Sequence, residues 1–174
     1  MTDDLRVNLK SLKRTEGARQ EFCVRGSLGE TIQTGLAAIP SGEVITVAGS
    51  LESVGDGVLV TATVRGRGNA TCSRCLAEFT FPAQASFQEL FVYPEHAPAY
   101  HDEDVLFIVN EWIDLAAVVR DALILDQSPS PLCKPDCRGL CPRCGADLNT
   151  DPSHRHDETV DARWSALAEW GRMS

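Results

Sequence analysis

The chain has 174 residues, 43% hydrophobic and 24% charged, enough apolar material for one domain, or one domain with a small appendage. Its 25 acidic against 16 basic residues give a net charge of −9. That argues against a strongly basic binder of bare phosphate and for solubility or a basic partner, while leaving room for a local cationic patch. No apolar run reaches the roughly 18 residues a membrane span needs, and the opening MTDDLRVNLK is acidic at once, unlike a secretory leader. The expectation is a cytoplasmic protein whose seven cysteines stay reduced.

Residues 5–25 carry Arg6, Lys10, Lys13, Arg14, Arg19 and Arg25 against Glu16 and Glu21, and read as a solvated, partly flexible opening segment. Cys23, between Phe22 and Val24, reads as an inert small hydrophobe. From 43 to 92 the pattern turns to strand. Ile45, Val47 and Leu51 share one parity, and GDG at 55–57 predicts a hairpin turn. Val58, Val60, Ala62 and Val64 then face one way, with Thr61, Thr63, Arg65 and Arg67 the other, as in a half-buried antiparallel strand. Phe79, Phe81, Ala83, Ala85 and Phe87 continue the alternation, and Pro82 on the opposite parity predicts an edge or bulge.

PEHAPAYHDED, 94–104, reads as an exposed acidic loop holding His96 and His101. VLFIV at 105–109 suggests another strand. Leu115, Val118, Val119 and Ala122, with Leu123 or Leu125, fall at helical spacing over 114–126, with Asp114 as N-cap. The tail from 159 reads as a short packing helix with Trp164, Leu167 and Trp170 on one face.

Between helix and tail lies LCKPDCRGLCPRCGADLN, with Cys133, Cys137, Cys141 and Cys144 spaced C-x3-C-x3-C-x2-C. Cys141-Pro-Arg-Cys144-Gly145 has the form of a zinc-ribbon knuckle, which aims two sulfurs and several backbone N–H groups at one centre, with the glycine free to close the turn. A tetrahedral zinc needs two ligands more. Cys133 and Cys137 are nearest in sequence, followed by His154 and His156. Cys72 and Cys75, in CSRC, bring the inventory to eight, the complement of two tetrahedral sites, and either join the later cluster or stand apart. The rival chemistry for CSRC is thiol–disulfide exchange, but that motif normally opens a helix, and here it lies between two strand runs. His154 beside Asp157 and Glu158 is the nearest approach to a catalytic zinc arrangement, and a thiolate-rich site makes a poor Lewis acid. No G-x-S-x-G, phosphate-binding glycine loop or H-E-x-x-H is present, so no catalytic residues are assigned.

CSRCL after a strand, ID opening a helix, LCKPDCRGLCPRCGADLN and a late D-x-R-W together resemble the YceD family, the large ribosomal RNA subunit accumulation proteins. The likeness covers residues 43 to about 170. Relatives with a Cys-x-Cys pair where this chain has His154-Arg155-His156 imply that these histidines stand at a ligand position. The resemblance implies a non-enzymatic role in large-subunit (23S) ribosomal RNA accumulation. It also suggests a partner in the assembling subunit: the RNA, an assembly intermediate or a basic ribosomal protein. Arg65, Arg67 and Arg74 are the candidate RNA contacts, and Phe79 and Phe81 are read as core. The expected fold is α+β, mainly antiparallel β as a small barrel or sandwich, with one or two helices. Residues 1–112 would form the β domain, and 113–174 a helix, a zinc-binding C-terminal segment and a terminal helix packed on it.

Overall fold

A computed structural model of the chain describes residues 5–99, 105–156 and 163. Its centre is a long hairpin. β6 (Gly57–Thr71) pairs antiparallel with β7 (Glu78–Val92) over its whole length. The other edge of β6 carries β5 (Ile45–Val54) and, farther along, β4 (Ala37–Ile39). Outside these lie β2 (Arg19–Gly26), against β5, and β3 (Ile32–Thr34), against β4. The two-residue β8 (Leu106–Phe107) adds to the end of β7 in a parallel pairing. A separate ribbon joins β1 (Arg6–Asn8) to β9 (Trp112–Asp114). Among the described residues one α-helix, α1 (Ala116–Asp126), follows.

Alternation accounts for which face is buried. Ile45, Val47 and Leu51 of β5 and Val58, Val60, Ala62 and Val64 of β6 are all buried, as their shared parity predicts. Ala83 and Ala85 of β7 join them, while Phe81 and Phe87 pack half-buried at the margin. This inner face is covered by Val118, Val119 and Leu123 of α1 and by Val7 and Ile113 of the ribbon. The sheet stays open, because β8 at one side does not pair with β2 or β3 at the other. The expected small barrel is therefore not formed: closure needs the two edges to hydrogen-bond, and a two-residue parallel strand offers no ladder for that.

Several local expectations change. The opening segment is not loose: Leu5, Val7, Leu9 and Leu12 are buried, and β1 and β2 take up its two ends. Cys23 is exposed, because period two turns it outward. Pro82 sits opposite Arg67, whose N–H points away from β7 to the Glu43 carboxylate at 3.1 Å. The missing proline N–H thus falls on β7's free edge, where it costs no ladder bond. Asp114 ends β9 rather than capping α1 from the Ncap position, which Leu115 holds. Its carboxylate still accepts the Ala116 N–H at 3.0 Å and pairs with Arg6 at 3.2 Å. His96 lies in a short 3-10 turn, Pro94–Ala99, 3.8 Å from Asp56. His101 and the expected terminal helix, with Trp164, Leu167 and Trp170, lie outside the described residues.

The helix register left open between Leu123 and Leu125 resolves sharply, with Leu123 2% exposed and Leu125 86% exposed. Leu123→Ala is expected to cost about 2–5 kcal/mol, from lost burial plus a cavity, whereas Leu125→Ala should stay within about 0.5 kcal/mol of the parent. Urea unfolding of the two variants measures both, and equal midpoints would contradict this packing.

Candidate metal centres

The turn between β6 and β7 and the knuckle at 141–146 are two copies of one local structure. In Cys72-Ser-Arg-Cys75-Leu76-Ala77, the Cys72 N–H donates to the Ala77 carbonyl at 2.8 Å and the Leu76 N–H to the Cys72 carbonyl at 3.0 Å. In Cys141-Pro-Arg-Cys144-Gly145-Ala146, Cys141 N–H to Ala146 and Gly145 N–H to Cys141 repeat the pair, both at 2.8 Å. The fifth residue is left-handed in each, Leu76 at φ 59° and Gly145 at φ 75°. Only glycine adopts this conformation without steric cost, so the first turn carries strain the second avoids. CSRCLA and CPRCGA share spacing, the arginine and the final alanine. That internal likeness was the available sign that Cys72 and Cys75 form a knuckle too.

These turns point backbone N–H groups at their first sulfur. Amides of Cys75, Cys133 and Arg74 hold the Cys72 thiol down to about 6 against its burial. The amides of Arg143 and Cys144 do the same for Cys141, also to about 6. Both first cysteines are thus prepared as thiolates, the form that ligates metals.

The eight candidate ligands divide into two fours. Cys72, Cys75, Cys133 and Cys137 bring their sulfurs within 4.8 Å of one another, and Cys141, Cys144, His154 and His156 do the same with two sulfurs and two imidazole nitrogens. Cys133 and Cys137 therefore do not complete the Cys141/Cys144 knuckle, although they are nearest to it in sequence. Chain direction explains this. The Ser73 N–H donates to the Pro131 carbonyl at 2.9 Å and Leu140 N–H to the Arg74 carbonyl at 3.1 Å, so residues 131–140 wrap around the β6–β7 turn.

In the first cluster Sγ–Sγ distances are 3.7 Å for Cys72–Cys137 and 3.6 Å for Cys75–Cys133. Four thiolates at the usual zinc–sulfur distance of about 2.3 Å would stand about 3.8 Å apart along a tetrahedron edge, so the donor set fits that ion. Cys72 and Cys137 are buried. Burial, then the neighbouring thiols Cys75, Cys72 and Cys137, push Cys133 up to about 12. Four bare thiolates repel one another there, and a divalent cation would remove that repulsion. Asn149 donates its amide to the Cys137 sulfur at 3.6 Å and accepts the Arg138 N–H at 3.0 Å.

The second cluster is shallower. His154 Nε2 lies 3.2 Å from the Cys144 sulfur and 2.9 Å from His156 Nε2, which is itself 3.3 Å from the same sulfur. Cys141 is buried, but Cys144 and His156 are exposed.

Arg74 does not join Arg65 and Arg67 as an outward sheet residue. It sits inside the first knuckle, and its guanidinium donates to the Cys137 carbonyl at 2.8 Å. Arg65 and Arg67 are exposed on β6. Asp157 and Glu158 lie outside the described residues.

An open antiparallel sheet with a helix on one face and two Cys/His knuckle clusters at its far end defines the class: a β protein with two potential structural metal sites. A family model described as "Large ribosomal RNA subunit accumulation protein YceD" matches residues 60–169, which take in most of β6, all of β7 and all eight ligands. The chain belongs to the YceD family. An uncharacterized protein of Mycobacterium tuberculosis is 38% identical over 165 residues, 94% of this chain and 79% of the relative. The uncharacterized protein YlbN of Bacillus subtilis is 27% identical over 106 residues, 60% of this chain and 61% of its own. A maize protein, the large ribosomal RNA subunit accumulation protein YCED homolog 1, chloroplastic, is 44% identical over 41 residues, 24% of this chain and 14% of its own. No solved structure matches the chain.

The twin turns can be tested by exchanging their fifth residues. Leu76 is 61% exposed, so Leu76→Gly gives up little burial. It should leave stability unchanged or raise it by up to about 1 kcal/mol, relief of left-handed strain outweighing glycine's added chain entropy. Gly145→Leu should cost about 1–2 kcal/mol. Thermal midpoints of the two variants decide the matter, and a loss on Leu76→Gly as large as that on Gly145→Leu would contradict the equivalence.

Proposed function

We propose that this chain is a non-enzymatic ribosome-biogenesis factor that supports accumulation of large-subunit ribosomal RNA, with two structural zinc ions ordering its cysteine-rich segment. The observation that carries the role is membership of a family whose description names that RNA. The maize relative's name says the same of that protein. Its partner is the large-subunit RNA or an assembly intermediate, and its place of work the cytoplasm. No helix among the described residues is long and apolar enough to cross a membrane.

Zinc is favoured by the donors. Four thiolates, or two thiolates with two imidazoles, are the sets that tetrahedral structural zinc takes, and each cluster supplies all four positions from protein. A full tetrahedron leaves no place for a reacting water, which supports a structural role over a catalytic one. Buried Cys72, hemmed in by three other cysteines, suits ligation better than thiol–disulfide exchange, which needs an accessible sulfur.

Two zinc ions per chain are expected from elemental analysis of reduced, purified protein. The Cys72→Ser/Cys75→Ser variant and the Cys144→Ser/His154→Ala variant should each retain one. Metal-free wild-type protein would refute the zinc assignment. Chelation should raise amide exchange across residues 132–156, because metal binding is the main source of order in a segment without a core of its own. Deletion of the gene should lower large-subunit ribosomal RNA relative to small-subunit RNA, and an unchanged ratio would overturn the role.

A further inference from the structure

The outer face of the sheet, opposite the core, gathers charge that the rest of this acidic chain neutralises. Arg6, Arg14, Arg19 and Arg120 pair with Asp114, Glu95, Glu52 and Glu30. Arg25, Arg65 and Arg67 are exposed, and among the described residues their guanidinium groups have no hydrogen-bond or carboxylate partner. Strand order brings them together. Arg25 of β2 is in register with Thr46 of β5, which is in register with Arg65 of β6. Residues directly opposite share a face, so Arg25 and Arg65 stand two strand spacings apart, about 10 Å. Arg67 is two residues along β6 on the same face, about 7 Å from Arg65.

One acid stands at the edge of this triangle: the Glu43 carboxylate accepts the Arg67 backbone N–H at 3.1 Å and keeps its charge, leaving the three guanidinium groups in excess. Glu52 is held by Arg19 at 2.8 Å, and Glu21, like Glu52, lies toward the other end of β2 and β5. The in-register neighbours of the arginines are uncharged: Pro82 lies opposite Arg67 and Ala48 beside Thr63, among hydroxyl and amide groups. Thr46 and Gln84 flank Arg65, and Thr63 lies 3.1 Å from Ser86 in the next row. No aromatic side chain lies in these two rows.

We propose that this face binds the sugar–phosphate backbone of RNA, with Arg25, Arg65 and Arg67 on successive phosphates and the neighbouring hydroxyl and amide groups on sugar and phosphate oxygens. The inference rests on the large-subunit RNA reading and supplies its contact surface. Guanidinium groups match phosphate geometry bidentately. Three of them free on one face of a chain of net charge −9 favour a polyanion over a basic protein. Without aromatic platforms for stacking, the contact reads backbone and shape rather than base identity.

The test uses the full, metal-loaded chain and fluorescence anisotropy. The probes are a labelled transcript of large-subunit ribosomal RNA and a poly(U) strand of equal length, each titrated across a salt series. The Arg25→Gln/Arg65→Gln/Arg67→Gln variant, checked for an unchanged circular dichroism spectrum, should bind at least tenfold more weakly. Its slope of log K against log salt should be shallower by about 2, since each phosphate contact contributes about 0.7 on single strands. Arg120→Gln, at a paired arginine on α1 outside the triangle, should match the parent on both measures. Equal affinity and slope in the triple variant would overturn this surface while wild-type binding leaves the ribosomal role standing. Wild-type protein that binds neither RNA but binds a purified basic ribosomal protein would overturn RNA as the partner. A lost ribosomal role shows separately, as a normal RNA ratio on deletion.

Discussion

The structure turns on four sulfur atoms. Cys72 and Cys75 sit at the tip of the long β6–β7 hairpin, and Cys133 and Cys137 come back to meet them from beyond α1. Between residue 127 and residue 156 the chain has no helix or strand beyond one isolated bridge, Leu140 to Asp147. Such a stretch buries too little apolar surface to offset the entropy of ordering it. Four cysteines converge there, and the hydrogen bonds beside them tie the segment to the hairpin: Ser73 to Pro131, Leu140 to Arg74, and Arg74 to Cys137. Gly139 completes the seat. At φ 79° it brings its backbone so close to Arg74 that an added Cβ would stand 2.9 Å from the Arg74 carbonyl oxygen.

The two knuckles share a turn but differ in setting. The first joins distant parts of the chain and is half or fully buried. The second gathers ligands from residues 141 to 156, with Cys144 and His156 exposed, His154 half-buried and Cys141 buried. By geometry, the first couples the cysteine-rich segment to the sheet and the second shapes that segment locally. Strain follows the same division: the joining turn holds Leu76 left-handed, while the outer one uses glycine.

The sheet separates two jobs by parity. Its inner face takes the aliphatic side chains of β5 and β6 and the cover from α1 and the ribbon. Its outer face is free to carry charge, and there the basic residues of β2 and β6 converge although the chain as a whole is acidic. Net charge describes solubility and long-range attraction, whereas recognition depends on which charges share a face.

Much was legible from sequence because it is local. Period-two alternation marked β5, β6 and β7 and their buried faces, GDG marked the turn at Gly55-Asp56, and C-P-R-C-G marked the second knuckle. Helical spacing marked α1 to within its first residues. Each of these depends on neighbours within a few positions, which spacing records. Tertiary structure decided the open sheet, the pairing of Cys133 and Cys137 with Cys72 and Cys75, the place of Arg74 inside a knuckle, and the approach of Arg25 to Arg65. The physical reason is that these contacts join residues far apart in the chain, 65 positions in the case of Cys72 and Cys137. Strand order and the course of the chain after α1 set them, and no local pattern of residues encodes either.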